Sequence, residues 1–225
     1  MSDDLQYLMH FFNDREHLFK TITMAGASHM DDICNTISAR RGWFWMRFSE
    51  SERAGYLKRR SFVERAMYDD YTRAYGSLKE RVPVFFYLIP NITEQKATGL
   101  ARKRAGHGEN VPQVLMARLA DIEDTTNMTF TLNDSHTAYW RTMKEAGLDF
   151  GGEPNVPVVL PDHNTIFPLS MIERIHRQYR AYVLDYEVQV WDRQLLENLR
   201  YTILRGNEAE RGETPPPTDT STLRQ

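Results

Sequence analysis

The stretch LDYEVQVW, from Leu184 to Trp191, decides how this chain is interpreted. Its polar and apolar residues alternate, and successive side chains of a β-strand point to opposite faces of the sheet. We therefore predict a strand with one apolar and one polar face, the polar side chains being those of Asp185, Glu187 and Gln189. Two interpretations of the polar face stay open. It is solvated, or it lines a cleft in which a carboxylate stabilises a developing positive charge.

Other segments upstream and downstream also have the character of strands. VPVFFYLI (Val82 to Ile89) is rich in β-branched and aromatic residues and ends before a proline, which is typical of a buried strand. MTFTL (Met128 to Leu132) and YTIL (Tyr201 to Leu204) have the same composition. A short apolar run that ends at His10 is predicted to form an edge strand.

Helical periodicity is found mainly before the strand segments of the C-terminal half. The residues from Ser51 to Gly76 predict one or two helices with a buried stripe at Leu57, Val63, Met67 and Tyr71. Further helices are predicted from Asp14 to Gly26, from Val114 to Ile122, from Asp134 to Gly147 and from Met171 to Tyr182. Helices that come first and strands that come later favour the α+β class.

Composition indicates a single folded domain. The chain has 225 residues, of which 41% are hydrophobic and 26% charged. We predict one domain over residues 1–205 and a disordered Pro-rich tail over residues 206–225, which has too few apolar residues to form a core. The segment from Leu148 to Phe167 is predicted to be a long loop. The acidic N-terminus and the single cysteine, Cys34, predict a cytoplasmic protein, and we expect Cys34 to be buried. No membrane segment is predicted, because no apolar stretch approaches the ~20 residues that cross a bilayer.

The net charge of −3 argues against a protein that binds along duplex phosphate, because such proteins are usually basic. Local basic segments remain. Lys58, Arg59, Arg60 and Arg65 have helical spacing and form either a solvated helix face or a phosphate contact. ARKRAGHG (Ala101 to Gly108) is predicted to be a flexible basic loop and is the best local candidate for touching nucleic acid.

Common motifs for metals and nucleotides are missing from the sequence. His10 and His17 do not have the i, i+4 spacing of helical zinc ligands, and no second cysteine accompanies Cys34, so no metal site is predicted. There is no Walker loop, Rossmann glycine pattern or GxSxG elbow. Taken alone, His10 is more typical of a packed, hydrogen-bonded core histidine than of a functional one.

Taken in chain order, these segments resemble the DarT-type ADP-ribosyltransferase toxins, which use NAD⁺ to modify bases in single-stranded DNA. That family has a histidine-containing strand leading to a helix closed by Gly, a helix with paired arginines before an apolar strand, a strand ending in an Asp/Asn turn, and a basic segment before a strand that carries the catalytic Glu. The corresponding segments here run from His10 to Gly26, from Arg59 to Tyr87, from Thr129 to Asp134 and from Arg177 to Val190.

The resemblance implies an ADP-ribosyltransferase-like split β-sheet core flanked by helices, with NAD⁺ as a substrate and no metal. It implies that Glu187 hydrogen-bonds the ribose and stabilises an oxocarbenium-like state, and that Arg60 steadies the diphosphate or activates the target base. The residues implied in NAD⁺ binding are His10, Phe11, Asn13, Arg59 and Phe86. The residues implied in nucleic-acid binding are Arg102, Lys103, Arg104, His136 and Arg180.

The biology implied by the resemblance is that of a toxin in a toxin–antitoxin or phage-defence system. Its partners would be single-stranded nucleic acid and an antitoxin protein. DNA is the favoured acceptor, with RNA or a protein as alternatives.

Two other functions compete with this interpretation. Pro161-Asp162 followed by Glu187-Val188-Gln189 imitates the PD-(D/E)xK pattern of Mg²⁺-dependent nucleases, with Gln189 in place of lysine. The third alternative is a non-catalytic binding protein with a degenerate transferase fold, in which the polar strand face is merely solvated.

Overall fold

The computed structural model describes residues 4–12, 18–19, 21–24, 27–38, 48–105, 113–148 and 166–205. Several predictions fall outside these residues. They concern the tail 206–225, the loop residues 149–165 with Pro161-Asp162, the sites Asn13 and His17, and the end of the basic segment, residues 106–108.

Seven strands and seven α-helices are present within the described residues. The strands are β1 (Tyr7–Phe12), β2 (Val84–Leu88), β3 (Gln113–Arg118), β4 (Met128–Leu132), β5 (Phe167–Pro168), β6 (Tyr186–Val190) and β7 (Thr202–Leu204). The helices are α1 (Ala27–Ser38), α2 (Arg53–Tyr75), α3 (Glu94–Ala105), α4 (Ser135–Ala138), α5 (Trp140–Glu145), α6 (Ile172–Tyr179) and α7 (Arg193–Glu197). Single 3₁₀ turns lie at Ile22–Met24, Leu119–Asp121 and Leu169–Met171.

The strands form one antiparallel open sheet in the order β5-β4-β6-β2-β1-β3-β7. Strand β6, the stretch with which the sequence was introduced, lies between β4 and β2 near the middle of the sheet. The predicted α+β class is confirmed. In the part of the chain that the structure describes, no helix combines the length and the apolar composition that a membrane span requires.

The two strands at the centre of the order, β1 and β2, pair over only two positions, Leu8 with Leu88 and Met9 with Tyr87. Each of them pairs over its full length with its other neighbour, β3 or β6. Beyond Met9 the strands are no longer paired, and the Nδ1–H of His10 donates to the carbonyl oxygen of Phe85 at 2.8 Å. A side chain thus bridges β1 and β2 where the backbone ladder between them ends.

The two faces of the sheet have different covers. We call the face that carries Tyr186, Val188 and Val190 the apolar face; it belongs to the largest hydrophobic cluster, together with Ile175 and Tyr179 of α6. The opposite face carries Glu187 and Gln189, and we call it the polar face. Over β2 and β6 it is covered by α2, α4 and α5, and the hydrophobic cluster between them and the sheet includes Val63 of α2, Tyr139 between α4 and α5, and Trp191 directly after β6. Over β1 and β3 it is covered by α3.

Most predicted elements are confirmed with slightly different ends. The strands predicted at 82–89, 128–132, 184–191 and 201–204 are β2, β4, β6 and β7, and the apolar run at His10 is β1. The prediction that this run forms an edge strand is wrong, because β1 is paired on both sides, with β2 and with β3. The segment 51–76 is one continuous helix, in which Val63, Met67 and Tyr71 are buried as predicted and Leu57 is half-buried. Cys34 is buried, and burial raises the pKa of its thiol. The side chain of Asp134 caps α4 by accepting from the backbone N–H of Thr137.

Three further predicted local structures are wrong. Residues Val114 to Ile122 form β3 and a 3₁₀ turn instead of a helix, because their apolar run is buried between β1 and β7 on the sheet. Between Asp14 and Gly26, the described residues form a turn at 18–19 and the 3₁₀ turn Ile22–Met24, and the helix begins only at Ala27. Residues 101–105 of the predicted basic loop form the last turn of α3.

Replacing Phe130 by alanine is expected to destabilise the fold by about 3–5 kcal/mol, the usual effect of truncating a fully buried aromatic ring. Phe130 is fully buried at the centre of β4, stacks on Phe167 at 5.3 Å and meets Tyr186 edge-on at 5.7 Å. Urea unfolding of Phe130→Ala and Phe130→Leu measures the effect. Leucine should cost clearly less, and equal stability of the alanine variant and the native chain would contradict this packing.

Candidate functional site

The carboxylate of Glu187 is the buried centre of the polar face. The residue is 3% exposed, and in the sheet it lies between Tyr87 of β2 and Thr131 of β4. The backbone N–H of Ser135 donates to its Oε2 at 2.7 Å, and the hydroxyl of Ser135 donates to its Oε1 at 3.2 Å. The interpretation of this strand face as solvated is therefore wrong, because α2 and α4 cover it.

Arg60 faces the same carboxylate from helix α2. Its Nη1 lies 3.6 Å from Oε1 of Glu187, and its guanidinium carbon lies 3.4 Å from the centre of the Phe85 ring. Arg60 is 9% exposed, whereas Lys58 and Arg65 of the same basic run are exposed. The basic run therefore has exposed members on a solvated helix face and one buried cation, Arg60. The structure also brings together the two predicted catalytic residues, Glu187 and Arg60.

A second buried carboxylate, that of Glu64, shares Arg60. The Nε–H of Arg60 donates to Oε1 of Glu64 at 2.9 Å, and the hydroxyl of Thr23 donates to the same oxygen at 3.0 Å. Glu64 is 3% exposed. We call Glu64, Arg60 and Glu187, with their donors Thr23 and Ser135, the buried ion cluster.

Burial dominates the electrostatics of this cluster. Burial raises the pKa of Glu187 from 4.5 to about 7, opposed by the positive charge of Arg60 and reinforced by the negative charge of Asp134. Burial likewise raises the pKa of Glu64, and Arg60 and the Thr23 hydroxyl work against it. Burial alone would lower the pKa of Arg60, but Tyr56 and the two carboxylates raise it, so Arg60 remains a cation. The cluster therefore holds a permanent cation beside a carboxyl that titrates near neutral pH.

His10 and Phe86, both predicted to contact NAD⁺, are not part of this cluster. His10 follows the alternation of Leu8 and Phe12 on the apolar face, and its ring lies 5.1 Å from that of Phe86. Burial lowers the pKa of His10 to about 4, so the ring is neutral and its Nδ1–H serves Phe85. The structure thus separates His10 and Phe86 from Glu187 and Arg60 by the thickness of the sheet.

Phe11 and Arg104 meet on the polar face. The guanidinium of Arg104, in the last turn of α3, lies 4.0 Å from the centre of the Phe11 ring and 4.4 Å from that of Tyr87. Tyr87 is half-buried and is the sheet neighbour of Glu187. Arg102 is half-buried and Lys103 exposed on the same turn of α3. Arg104 of the basic segment thus contacts Tyr87, the residue that lies beside Glu187 on the neighbouring strand.

The remaining predicted residues have different surroundings. His136 follows Ser135 and stacks on the ring of Tyr56 at 5.8 Å, at an interplanar angle of 15°. Arg59 is half-buried and folds back over Gly55, where an added Cβ would lie 3.1 Å from its Nη1. Arg180 is exposed at the end of α6, the helix that packs on the apolar face. His136 and Arg59 are each adjacent in sequence to a member of the buried ion cluster, Ser135 and Arg60, whereas Arg180 lies on the opposite side of the sheet.

Gln189, two residues after Glu187, is held by hydrogen bonds inside the protein. Its Oε1 accepts from the hydroxyl of Thr129 at 2.9 Å, and its Nε2 donates to the carbonyl oxygen of Glu187 at 2.8 Å. The indole N–H of Trp191 donates to the hydroxyl of Thr129 at 2.8 Å. Gln189 is fully buried. It stands at the lysine position of the nuclease pattern, and its side-chain amide is engaged in hydrogen bonds that stabilise the fold.

Glu64 and Ser135 were missed by the sequence reasoning. Glu64 lies four residues after Arg60, the spacing of an i, i+4 ion pair, and this spacing alone is typical of a solvated helix face. Ser135 directly follows the turn Asn133-Asp134 that was included in the family resemblance. No local feature of the sequence indicates that its N–H and hydroxyl face β6, because that contact spans 52 positions.

Among the residues that the structure describes, no three His, Cys, Asp or Glu side chains are grouped so as to hold a metal ion. Comparisons of the chain with protein-family models, with curated proteins and with solved structures gave no match. The class of protein defined by these observations is thus an α+β protein with an open antiparallel sheet and a buried ion cluster at its centre.

Proposed function

We propose that this chain is an NAD⁺-dependent ADP-ribosyltransferase that modifies a base of single-stranded nucleic acid, with DNA favoured over RNA. The observation that carries the proposal is the buried pairing of Glu187 with Arg60 on the polar face. Buried carboxyls whose pKa lies near neutral are concentrated at catalytic sites. The chain order of the motifs supplies the class of chemistry, since an arginine helix, an apolar strand and a late glutamate strand resemble the DarT-type toxins.

The proposed reaction exchanges one glycosidic bond for another. The bond between the nicotinamide nitrogen and the anomeric carbon of the ribose breaks, and its electron pair leaves with neutral nicotinamide. A nitrogen or oxygen atom of the acceptor base then bonds to the anomeric carbon and releases its proton. Ionised Glu187 stabilises the positive charge that develops on the ribose, and it accepts either the ribose hydroxyl hydrogen bond or the proton of the acceptor.

Arg60 is assigned a role next to Glu187 rather than on the diphosphate of NAD⁺. It is nearly fully buried, its Nε–H is engaged by Glu64, and its plane rests on the Phe85 ring. A guanidinium fixed in this way orients the carboxylate and keeps it ionised against the effect of burial. Arg104 and its neighbours on α3 are better placed to meet a phosphate.

The nucleic acid is proposed to approach from the side of α3 and α4. Arg104 beside Tyr87 offers positive charge and a ring near Glu187, and Tyr56 with His136 offers a second pair of rings. Bases of a single strand stack on such rings without the cost of leaving a duplex. An enzyme that contacts a few nucleotides does not need a basic surface, in keeping with the net charge of −3.

The short pairing of β1 with β2, which we call the β1–β2 joint, supports an ADP-ribosyltransferase-like split sheet in this proposal. The two strands pair at only two positions, and the proposal assigns the facing backbone groups beyond that ladder, apart from the Phe85 carbonyl that accepts from His10, to binding an elongated ligand. His10, bonded to Phe85 across this gap, is assigned to fixing the joint. The proposal for catalysis consequently rests on Glu187 and Arg60.

We further propose that the activity arrests growth, as a cytoplasmic toxin neutralised by an antitoxin protein or as a phage-defence enzyme. Only the family resemblance supports this part. Induced expression in a bacterium should stop growth when the native chain is made, and the Glu187→Gln variant should be harmless at the same protein level.

Purified protein incubated with NAD⁺ and a single-stranded oligonucleotide of mixed sequence is expected to release nicotinamide and to add one ADP-ribose mass to the oligonucleotide. Chromatography measures the nicotinamide and mass spectrometry the adduct. Matched RNA, duplex DNA and protein acceptors identify the preferred class. The single strand should react faster than the duplex, because the duplex must first release the base.

Three results would contradict the proposal. Untouched NAD⁺ with every acceptor excludes the transferase and leaves the non-catalytic binding protein. NAD⁺ that is hydrolysed without an adduct shows that water is the acceptor. Strand scission that requires Mg²⁺ selects the nuclease.

A further inference from the structure

The buried ion cluster contains two carboxylates but one guanidinium. Arg60 donates its Nε–H to Glu64 at 2.9 Å and directs Nη1 to Glu187 at 3.6 Å. With all three groups ionised the cluster carries a net charge of −1, and each of the three is less than one-tenth exposed. A buried surplus charge is unfavourable, so the cluster favours binding one proton.

The charged and titratable groups around Glu187 do not remove this surplus. Helix α2 contributes Tyr56 next to Arg60, and β2 contributes Tyr87. The turn before α4 contributes Asp134, which adds negative charge and raises the pKa of Glu187. Arg104 of α3 acts on Tyr87 and on Asp185, while Ser135 and Thr23 supply neutral donors.

Glu64 is the group through which this surplus arises. It is bound more closely to Arg60 than Glu187 is, and Thr23 fixes its carboxylate from the other side. We propose that Glu64 is a positioning residue of the transferase, which holds the Arg60 guanidinium in place and sets by its charge the pH at which Glu187 becomes ionised. The inference rests on the proposed function, because it assigns Glu64 a role in that reaction.

The consequence is a pair of carboxyls that titrate together. When one of them holds the proton the cluster is neutral, and loss of that proton on raising the pH produces the ionised Glu187 that the reaction needs. Protons of such a pair come off in steps that belong to both groups. Nicotinamide release should therefore rise as the pH passes through the neutral range.

Glu64→Gln tests this coupling, because glutamine keeps an oxygen that accepts from Arg60 and Thr23 but removes the charge. Without the neighbouring negative charge Glu187 ionises more easily, so the rising limb of the pH–rate profile should move to lower pH by about one unit. Asp69→Asn is the matched control, since it removes one carboxylate from the exposed side of the same helix. It should leave the limb where it is.

Titration of the glutamate carboxyl carbons by ¹³C NMR provides a readout that does not depend on activity. In the native chain one buried glutamate should titrate near neutral pH, and Glu64→Gln should move that titration to lower pH by about one unit. The reciprocal variant Glu187→Gln must lower the pKa of Glu64 by the same amount, since coupling between two sites is mutual. This second variant keeps the test decisive should Glu64→Gln not fold.

The two readouts separate failure of the inference from failure of the proposed function. Unchanged NMR titrations in both variants, or an unchanged limb in an active Glu64→Gln enzyme, overturn the role of Glu64. Shifted titrations in a protein that never cleaves NAD⁺ overturn the transferase and, with it, the positioning role, while the coupling of the two carboxyls stands.

Discussion

Glu187→Gln is expected to lower the rate of nicotinamide release by a factor on the order of 10²–10⁴, the usual effect of removing a group that stabilises charge or transfers a proton in the transition state. Glutamine has the same shape, and its amide can still bond to Ser135, whose N–H lies 2.7 Å from the native carboxylate. The negative charge near the ribose is lost. The fold should therefore persist without the chemistry.

The same substitution is expected to stabilise the protein at alkaline pH. A carboxyl whose pKa rises from 4.5 when unfolded to about 7 when folded holds its proton more tightly in the folded state. Stability contributed by the protonated form is thus present below about pH 4.5 and is lost as the pH rises through 7. This loss amounts to about 3 kcal/mol, and a neutral glutamine avoids it.

Activity and stability should consequently change in opposite directions. Nicotinamide release and urea unfolding, each measured at about pH 5 and pH 8, give the two effects. Glu197→Gln is the matched control, because Glu197 is exposed on α7 and should change neither. A Glu187→Gln variant with native activity would remove Glu187 from the site. A variant less stable than the native chain at about pH 8 would contradict the surplus negative charge in the buried ion cluster.

The strands could be predicted because their pattern is local. Alternation in β6 and the β-branched composition of β2 and β4 are readable from a few residues each. The helix predicted from Val114 to Ile122 is wrong because Val114 to Ala117 form a continuous apolar run, which has neither the helical nor the strand period, and all four are buried in β3. The short pairing of β1 with β2 is bridged by a hydrogen bond between His10 and Phe85, 75 positions apart, and no local pattern encodes that contact.

The candidate site was predictable only in part, for a related reason. Glu187 stands out because a carboxylate in an apolar strand needs a compensating group. Glu64, the other carboxylate that shares Arg60, has the i, i+4 spacing of an ordinary surface ion pair with it. Only the packing of α2 on the sheet buries that pair. His10 and Phe86 are residue types that are common in ligand pockets, but strand alternation places their side chains on the apolar face. Which face a residue takes is decided by register, which long-range pairing sets.

Arg60→Met is expected to destabilise the protein by about 3–5 kcal/mol near pH 8 and to abolish nicotinamide release. Methionine fills the space above the Phe85 ring but leaves Glu64 and Glu187 without their shared cation. Arg60 lowers the pKa of both carboxyls, so both pKa values should rise further in its absence. Two buried carboxylates without a cation are the most costly state that this cluster can adopt.

The signature of this effect is its dependence on pH. Near pH 5 both carboxyls of the variant can hold protons, so the loss of stability should be much smaller than near pH 8. Urea unfolding at both pH values measures it, with Arg65→Met as the control, because Arg65 is exposed five positions further along α2 and should change stability by less than about 0.5 kcal/mol. Adding Glu64→Gln to Arg60→Met should restore part of the stability near pH 8 but none of the activity, since one of the two unpaired charges is then gone while Glu187 still lacks its cation. An equal loss at both pH values would mean that Arg60 acts through packing on Phe85 alone, and the buried ion cluster would then have no electrostatic role.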